Sequence, residues 1–368
     1  MSNYLDLLAK KYPPLVHVQV FGTSFEKRRL DMVKISTEKS GVEKPIILID
    51  AGIHAREWIA PAMALFIINQ LAENETNKYL TEEIEWHICP LLNPDGYEYS
   101  RKKDMWWRKT RSHTRNKHCR GVDGNRNFDF HWNECGASSD PCSGCYAGEK
   151  PFSEVETQAF RAYVMSIRDR LKLYLTFHSY GPFILYPWGF TKNLPHNADE
   201  LQAIAESANL AQMKAGGPRF VIGSSENTLY CAAGGSDDWV MATANVSLSY
   251  TVEMTPGRRI PFFPLPKDIR KHVTPFFEAV RAFGHHIGGY KPYEHSGSFD
   301  KGHTNSAQDT NRNLLKSRSY ICTGCLLTTE FILQCTFVTV ANWNMAQPPG
   351  SLFRYIIQLC LVYAVCNI

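Results

Sequence analysis

Valines at positions 16, 18 and 20 alternate with polar residues, so residues 15–21 predict a strand with one buried face. Residues 30–35 follow after a short gap and predict its antiparallel partner. Residues 45–50, Pro-Ile-Ile-Leu-Ile-Asp, are apolar without alternation, the pattern of a strand covered on both faces of a sheet. That run ends at Ala51-Gly52, and residues 58–71 then carry a helical period. Residues 84–92 predict another strand, closed by the turn residues Asn93-Pro94-Asp95-Gly96. Ser153 and Glu156 have capping-box spacing and open a predicted helix to about Arg168. Strands over 171–177 and 246–252 and helices over 199–214 and 268–286 complete the pattern. An amphipathic helical stretch at the N-terminus stops at Pro13-Pro14.

Buried strands alternating with helices predict an α/β fold: a mixed, mostly buried central sheet with helices on both faces. Residues 93–151 show little periodicity, and irregular segments of that length are usually functional. Residues 291–368 differ in texture, polar at first and then apolar without a clear period, and hold five of the 11 cysteines. Residues 1–290 therefore read as one domain. Residues 291–368 read as a separate appendage, expected to be disordered or an artefact of gene prediction. The nearest approach to a membrane span, residues 355–365, is short and carries Gln358, so no membrane anchor is expected.

The 368 residues are 44% hydrophobic and 21% charged, which excludes collagen-like, disordered and coiled-coil classes. A formal net charge of +4 provides no electrostatic footprint for nucleic acid. The first residues carry charges where a signal peptide needs an apolar core, so no leader is expected in the chain as given. An odd count of 11 cysteines leaves at least one thiol unpaired within the chain.

The chemistry begins at His54-Ala55-Arg56-Glu57. It follows a buried strand and a glycine turn, so its side chains are expected at the carboxyl end of that strand, where open α/β sheets bind ligands. A His and a carboxylate three apart can bind one metal ion, although so short a motif also arises by chance on a surface. A third ligand at another strand end, His178, strengthens the metal reading. Two imidazoles, one carboxylate and an open position for water suit a catalytic zinc ion.

With these residues the chain resembles the pancreatic A/B type of metallocarboxypeptidase, from about Tyr4 to Tyr290. The resemblance rests on His54-Ala-Arg-Glu57, Leu92-Asn-Pro-Asp-Gly96, Trp107-Arg-Lys-Thr-Arg111, Gly124-Asn-Arg-Asn127, Phe177-His-Ser-Tyr180, Leu229 to Trp239 and Thr251-Val-Glu-Met254, in order and at family-like spacing. It implies a carboxypeptidase-like fold and a zinc exopeptidase that removes the last residue of a peptide or protein, as a monomer with one zinc ion per chain. It assigns His54, Glu57 and His178 to the metal, Glu253 to general base, and Arg108 to the oxyanion of the tetrahedral intermediate. Asn125, Arg126 and Tyr230 match the clamp on the substrate carboxylate, while Arg56 and Ser179 match positions on the substrate-binding side.

By the same resemblance Asp237 stands where the B type has an acid at the floor of its specificity pocket, so Lys or Arg is the expected C-terminal residue. An A-like apolar preference is the alternative. Asp238 matches an acid of both types, and Gly189 and Ser225 would line the pocket with small side chains. The resemblance pairs Cys119 with Cys142 and Cys135 with Cys145, which implies an oxidising, extracellular setting; Cys89 and Cys231 are expected as single thiols. The family's leader and pro-domain are not seen in this chain, which keeps a truncated, non-catalytic product as a further reading. A zinc amidohydrolase acting on small acylated amino acids would share the His-x-x-Glu and the later His.

Overall fold

The computed structural model describes residues 1–38, 41, 43–255 and 262–290. The predicted appendage, with its apolar stretch at 355–365, lies outside the described residues. Among the described residues eight strands occur: β1 (Val16–Thr23), β2 (Arg29–Ile35), β3 (Ile46–Ala51), β4 (Glu85–Cys89), β5 (Leu171–Ser179), β6 (Phe183–Tyr186), β7 (Val221–Ser224) and β8 (Leu248–Met254). The helices are α1 (Ser2–Lys11), α2 (Ile59–Glu73), α3 (Pro94–Lys102), α4 (Val155–Ile167), α5 (Ala198–Lys214), α6 (Ser225–Thr228), α7 (Ser236–Ala242) and α8 (Pro266–Gly288). The strands form one mixed sheet in the order β1-β2-β4-β3-β5-β8-β6-β7. As the short gap between them predicts, β1 and β2 pair antiparallel, whereas β4, β3, β5 and β8 run parallel at its centre.

The unbroken apolar run of β3 is explained by its two covered faces. Ile47, Ile49 and Ala51 enter a core shared with α2, α5 and α8, while Ile46 and Leu48 enter a second core with α4 and α7. No described helix is long and apolar enough to cross a membrane.

Three local expectations need correction. Asn93-Pro94-Asp95-Gly96 opens α3 rather than a simple turn: Asn93 caps it by accepting from the Gly96 amide at 2.8 Å, and Pro94 occupies the first turn, where its missing N–H costs nothing. The capping box at Ser153 does not form. Glu154 is the N-cap residue of α4, and Glu156 accepts instead from the distant Phe25 amide at 2.9 Å. Strands β5 and β8 also run two residues further than expected, so His178 and Glu253 lie within them.

That extension sets up the site. In the parallel pair β5–β8, His178 is directly opposite Glu253, and Ala51 at the end of β3 is opposite Phe177. The chemical residues carried on or just after three neighbouring strands thus meet at the carboxyl ends of those strands.

Candidate active site

Gly52, with φ +69°, lets the chain turn off β3; a side chain there would meet Leu91 Cδ1 at 2.7 Å and Pro61 Cγ at 3.0 Å. His54 and Glu57 follow on the turn ahead of α2. His54 Nδ1 lies 2.9 Å from Glu57 Oε1 and 3.1 Å from His178 Nδ1, and His178 Nδ1 lies 3.1 Å from Glu57 Oε2. All three side chains are buried, and they are the one such cluster among the described residues able to hold a metal ion. The far imidazole nitrogens are already engaged: His54 Nε2 is 2.9 Å from Asp123 Oδ1, and His178 Nε2 is 3.1 Å from Thr176 Oγ1. Both Nδ1 atoms and the Glu57 carboxylate therefore converge on a common point, a donor set that fits zinc.

The electrostatics follow from burial and close charges. Burial and Arg108 lower the His54 pKa. Burial alone would lower His178 as well, but Glu57 outweighs it and lifts this imidazole to about 9. Glu253 is pushed up to about 7 by burial, and its Oε2 is buried with no partner among the described residues. Arg108 donates to Asp123 Oδ2 from Nε at 3.1 Å and Nη2 at 2.9 Å, with Nη1 3.5 Å from Glu57 Oε1. Arg108 and His54 outweigh the burial of Asp123 and hold its carboxyl well below the usual range.

The aperiodic segment supplies part of the lining of the cleft. Asn125 and Arg126 sit in a short 3-10 turn, Gly124–Arg126, capped by Asp123, whose Oδ1 accepts from the Asn125 amide at 3.0 Å. Arg126 donates from Nε to the Gly136 carbonyl at 2.7 Å and from Nη1 to the Asn125 carbonyl at 2.8 Å, leaving Nη2 without a partner among the described residues. Asn125 Oδ1 accepts from the Ser236 amide at 2.9 Å, which ties this turn to α7. Tyr230 and Ser179 line the same cleft, and the Ser179 amide donates to Glu57 Oε2 at 3.1 Å.

Asp237, Gly189 and Ser225 line the cleft, as do Leu185 and Thr251. Asp238 does not line it. Its carboxylate accepts from the Gly189 amide at 3.0 Å and the Phe190 amide at 3.2 Å, so this acid shapes the wall instead of facing the cavity.

Of the residues expected from the sequence, His54, Glu57, Arg108, Asn125, Arg126, His178, Ser179, Tyr230, Asp237 and Glu253 all line this one cleft. Arg56 does not. It is fully buried, its guanidinium 4.4 Å from the Phe262 ring and its Nη1 donating to the Trp106 carbonyl at 3.3 Å, while Phe262 itself lines the cleft.

The cysteines need a second correction. Cys119 is bonded to Cys142, with 5.0 Å between their Cα atoms, as the resemblance implied. Cys135 is bonded to Cys231, not to Cys145, with 5.8 Å between Cα atoms. The backbone explains the pairing: the Ala233 amide donates to the Cys135 carbonyl at 3.0 Å, and Gly136 packs so closely on the Cys231 carbonyl that a Cβ would lie 1.7 Å from it. Cys231 is thus no single thiol; among the described residues the free cysteine is the buried Cys89.

Sequence reasoning missed Asp123, Thr251, Tyr180 and Phe262. Asp123 carried one usable signal, an acid immediately before the Gly-Asn-Arg-Asn motif in a helix-capping position. Tyr180 and Thr251 lie inside motifs that carry the resemblance but were given no role there, and Phe262 carried no signal.

Residues 1–279 match the family described as "Zinc carboxypeptidase". "Carboxypeptidase B" of Astacus astacus is 46% identical over 256 residues, covering 69% of this chain and 84% of that protein. "Zinc carboxypeptidase A 1" of Drosophila melanogaster is 41% identical, covering 69% of this chain and 60% of that protein. Among solved structures, bovine thrombin-activatable fibrinolysis inhibitor in complex with tick carboxypeptidase inhibitor superposes with a TM-score of 0.73 at 33% identity, covering 78% of this chain and 95% of that one.

Proposed function

Because the chain belongs to the zinc carboxypeptidase family, whose members are peptide hydrolases, we propose that it is a B-type exopeptidase that removes C-terminal Lys or Arg from peptides and proteins. One zinc ion per chain is held by His54, Glu57 and His178. When bound, zinc polarises the scissile carbonyl and makes water more acidic. Glu253, whose unpartnered Oε2 is buried beside His178, accepts the proton of the attacking water and passes it to the leaving amine. Arg108, fixed by two hydrogen bonds from its guanidinium to Asp123, offers a preorganised positive charge to the developing oxyanion.

Arg126, assisted by Asn125 and Tyr230, binds the free carboxylate of the substrate. That contact restricts cleavage to the terminal residue, because an internal peptide bond has no carboxylate to offer. The disulfides Cys119–Cys142 and Cys135–Cys231 suit an extracellular setting.

The observation that carries the basic preference is Asp237 in the lining of the cleft, which also includes the small residues Gly189 and Ser225. A buried carboxylate attracts a cationic side chain and is left uncompensated by an apolar one. Comparing kcat/KM of the zinc-loaded protein for peptides ending in Arg, Lys, Phe and Leu tests it. Arg and Lys should lead; a lead for Phe or Leu would replace this reading with the A-like preference. Hydrolysis of an acyl-aspartate with none of these peptides cleaved would favour the amidohydrolase reading.

A further inference from the structure

Asp50 takes no part in the reaction just described, yet its side chain is 1% exposed in the centre of the sheet. Its two oxygens are both occupied by hydroxyl donors. Tyr174 donates to Oδ2, and Thr176 Oγ1 donates to Oδ1 at 3.1 Å. Thr176 Oγ1 also lies 3.1 Å from His178 Nε2. The backbone dictates this alignment: β3 and β5 are parallel with Asp50 opposite Thr176, and the period of two puts Tyr174, Thr176 and His178 on one face of β5.

A threonine hydroxyl has one proton to donate. Thr176 donates it to Asp50, so it can meet His178 only as an acceptor, and His178 Nε2 must carry the hydrogen of that contact. In the neutral ring that a metal requires, the Nδ1 lone pair is then left facing His54 and Glu57. Asp123 makes the equivalent contact with His54 Nε2 directly, whereas on the His178 side a hydroxyl stands between carboxylate and imidazole.

We infer that Asp50 is a positioning residue which, through Thr176, holds His178 in the Nε2–H tautomer and in the ring orientation that metal binding requires. The inference rests on the zinc reading above. Outer partners of ligating histidines typically change metal affinity by about 10- to 100-fold.

The test measures zinc affinity by chelator competition at neutral pH in the full-length protein, together with melting of the metal-free form. Thr176→Val and Asp50→Asn should weaken zinc binding by about 10- to 100-fold, and Thr176→Ser, which restores the hydroxyl, should bind within about threefold of the parent. In Asp50→Asn the amide can turn its NH2 toward Thr176, redirecting the hydroxyl proton at His178. A Thr176→Val protein that folds and binds zinc like the parent overturns the inference. A readout that needs no variant is the ring-nitrogen NMR spectrum of 15N-histidine-labelled, zinc-loaded protein. His178 should show a slowly exchanging Nε2–H, and a ring protonated on Nδ1 or bare at Nε2 overturns the assignment. Failure of the unaltered protein to take up zinc would instead overturn the metal reading itself.

Discussion

The Thr251 hydroxyl donates to Oδ2 of Asp237 over 2.9 Å, linking β8 to the first turn of α7. The hydroxyl occupies one carboxylate oxygen, and Oδ1 has no partner among the described residues. Asp237 is therefore fixed in orientation while keeping an acceptor for a cationic side chain. Asp237→Asn should lower kcat/KM for Arg-terminated peptides by about 30-fold or more, since losing one member of a buried charge pair costs on the order of 2 kcal/mol or above. The same variant should narrow the gap to Phe-terminated peptides. An unchanged Arg preference in Asp237→Asn would remove this residue from specificity.

Glu253→Gln retains shape but cannot accept a proton. It should lower kcat by roughly 10²- to 10⁴-fold, the usual worth of a general base. Zinc content and the affinity for a competitive product such as free arginine should stay near those of the parent. Isothermal titration alongside turnover assays checks both halves.

The pH profile should carry the same residue. Burial lifts the Glu253 carboxyl to about 7, and only its ionised form can accept a proton, so activity should rise with pH on an acid limb. A bound dication favours the carboxylate and draws that limb's midpoint below 7. Glu253→Gln should flatten the limb in a plot of log kcat/KM between about pH 5 and 8. Persistence of the limb in that variant would assign it to another group.

Glu156 offers a pH effect on stability away from the cleft. Its side chain is buried, Oε2 has no partner among the described residues, and burial raises the carboxyl to about 7. Because the folded pKa lies above the unfolded one, the stability it contributes is full below about pH 4.5 and is lost as pH rises through 7. The loss is on the order of 3 kcal/mol, because burial lifts the carboxyl from 4.5 to about 7. Glu156→Gln, which stays neutral, should melt with less pH dependence between about pH 5 and 8, as differential scanning calorimetry would read.

Apolar runs in the sequence located β3, β5 and β8, with the ends of β5 and β8 two residues short, and they pointed to His54, Glu57 and His178, whereas Glu253 was assigned by the family resemblance. Such patterns are local: a period reports which face of an element is buried, and a turn residue reports where it ends. Which residues meet across the chain depends on how the elements pack. Asp50 and Thr176 are 126 positions apart, His54 and Asp123 are 69 apart, and their pairing depends on strand order and on the path of an aperiodic loop. The same holds for Cys135, whose partner 96 residues away is set by how two loops pack, and for Arg56, which a motif places beside the cleft but which packing buries beneath Phe262. Hydrogen bonds and disulfides need atoms within a few ångströms, and residue type alone carries no information on that distance.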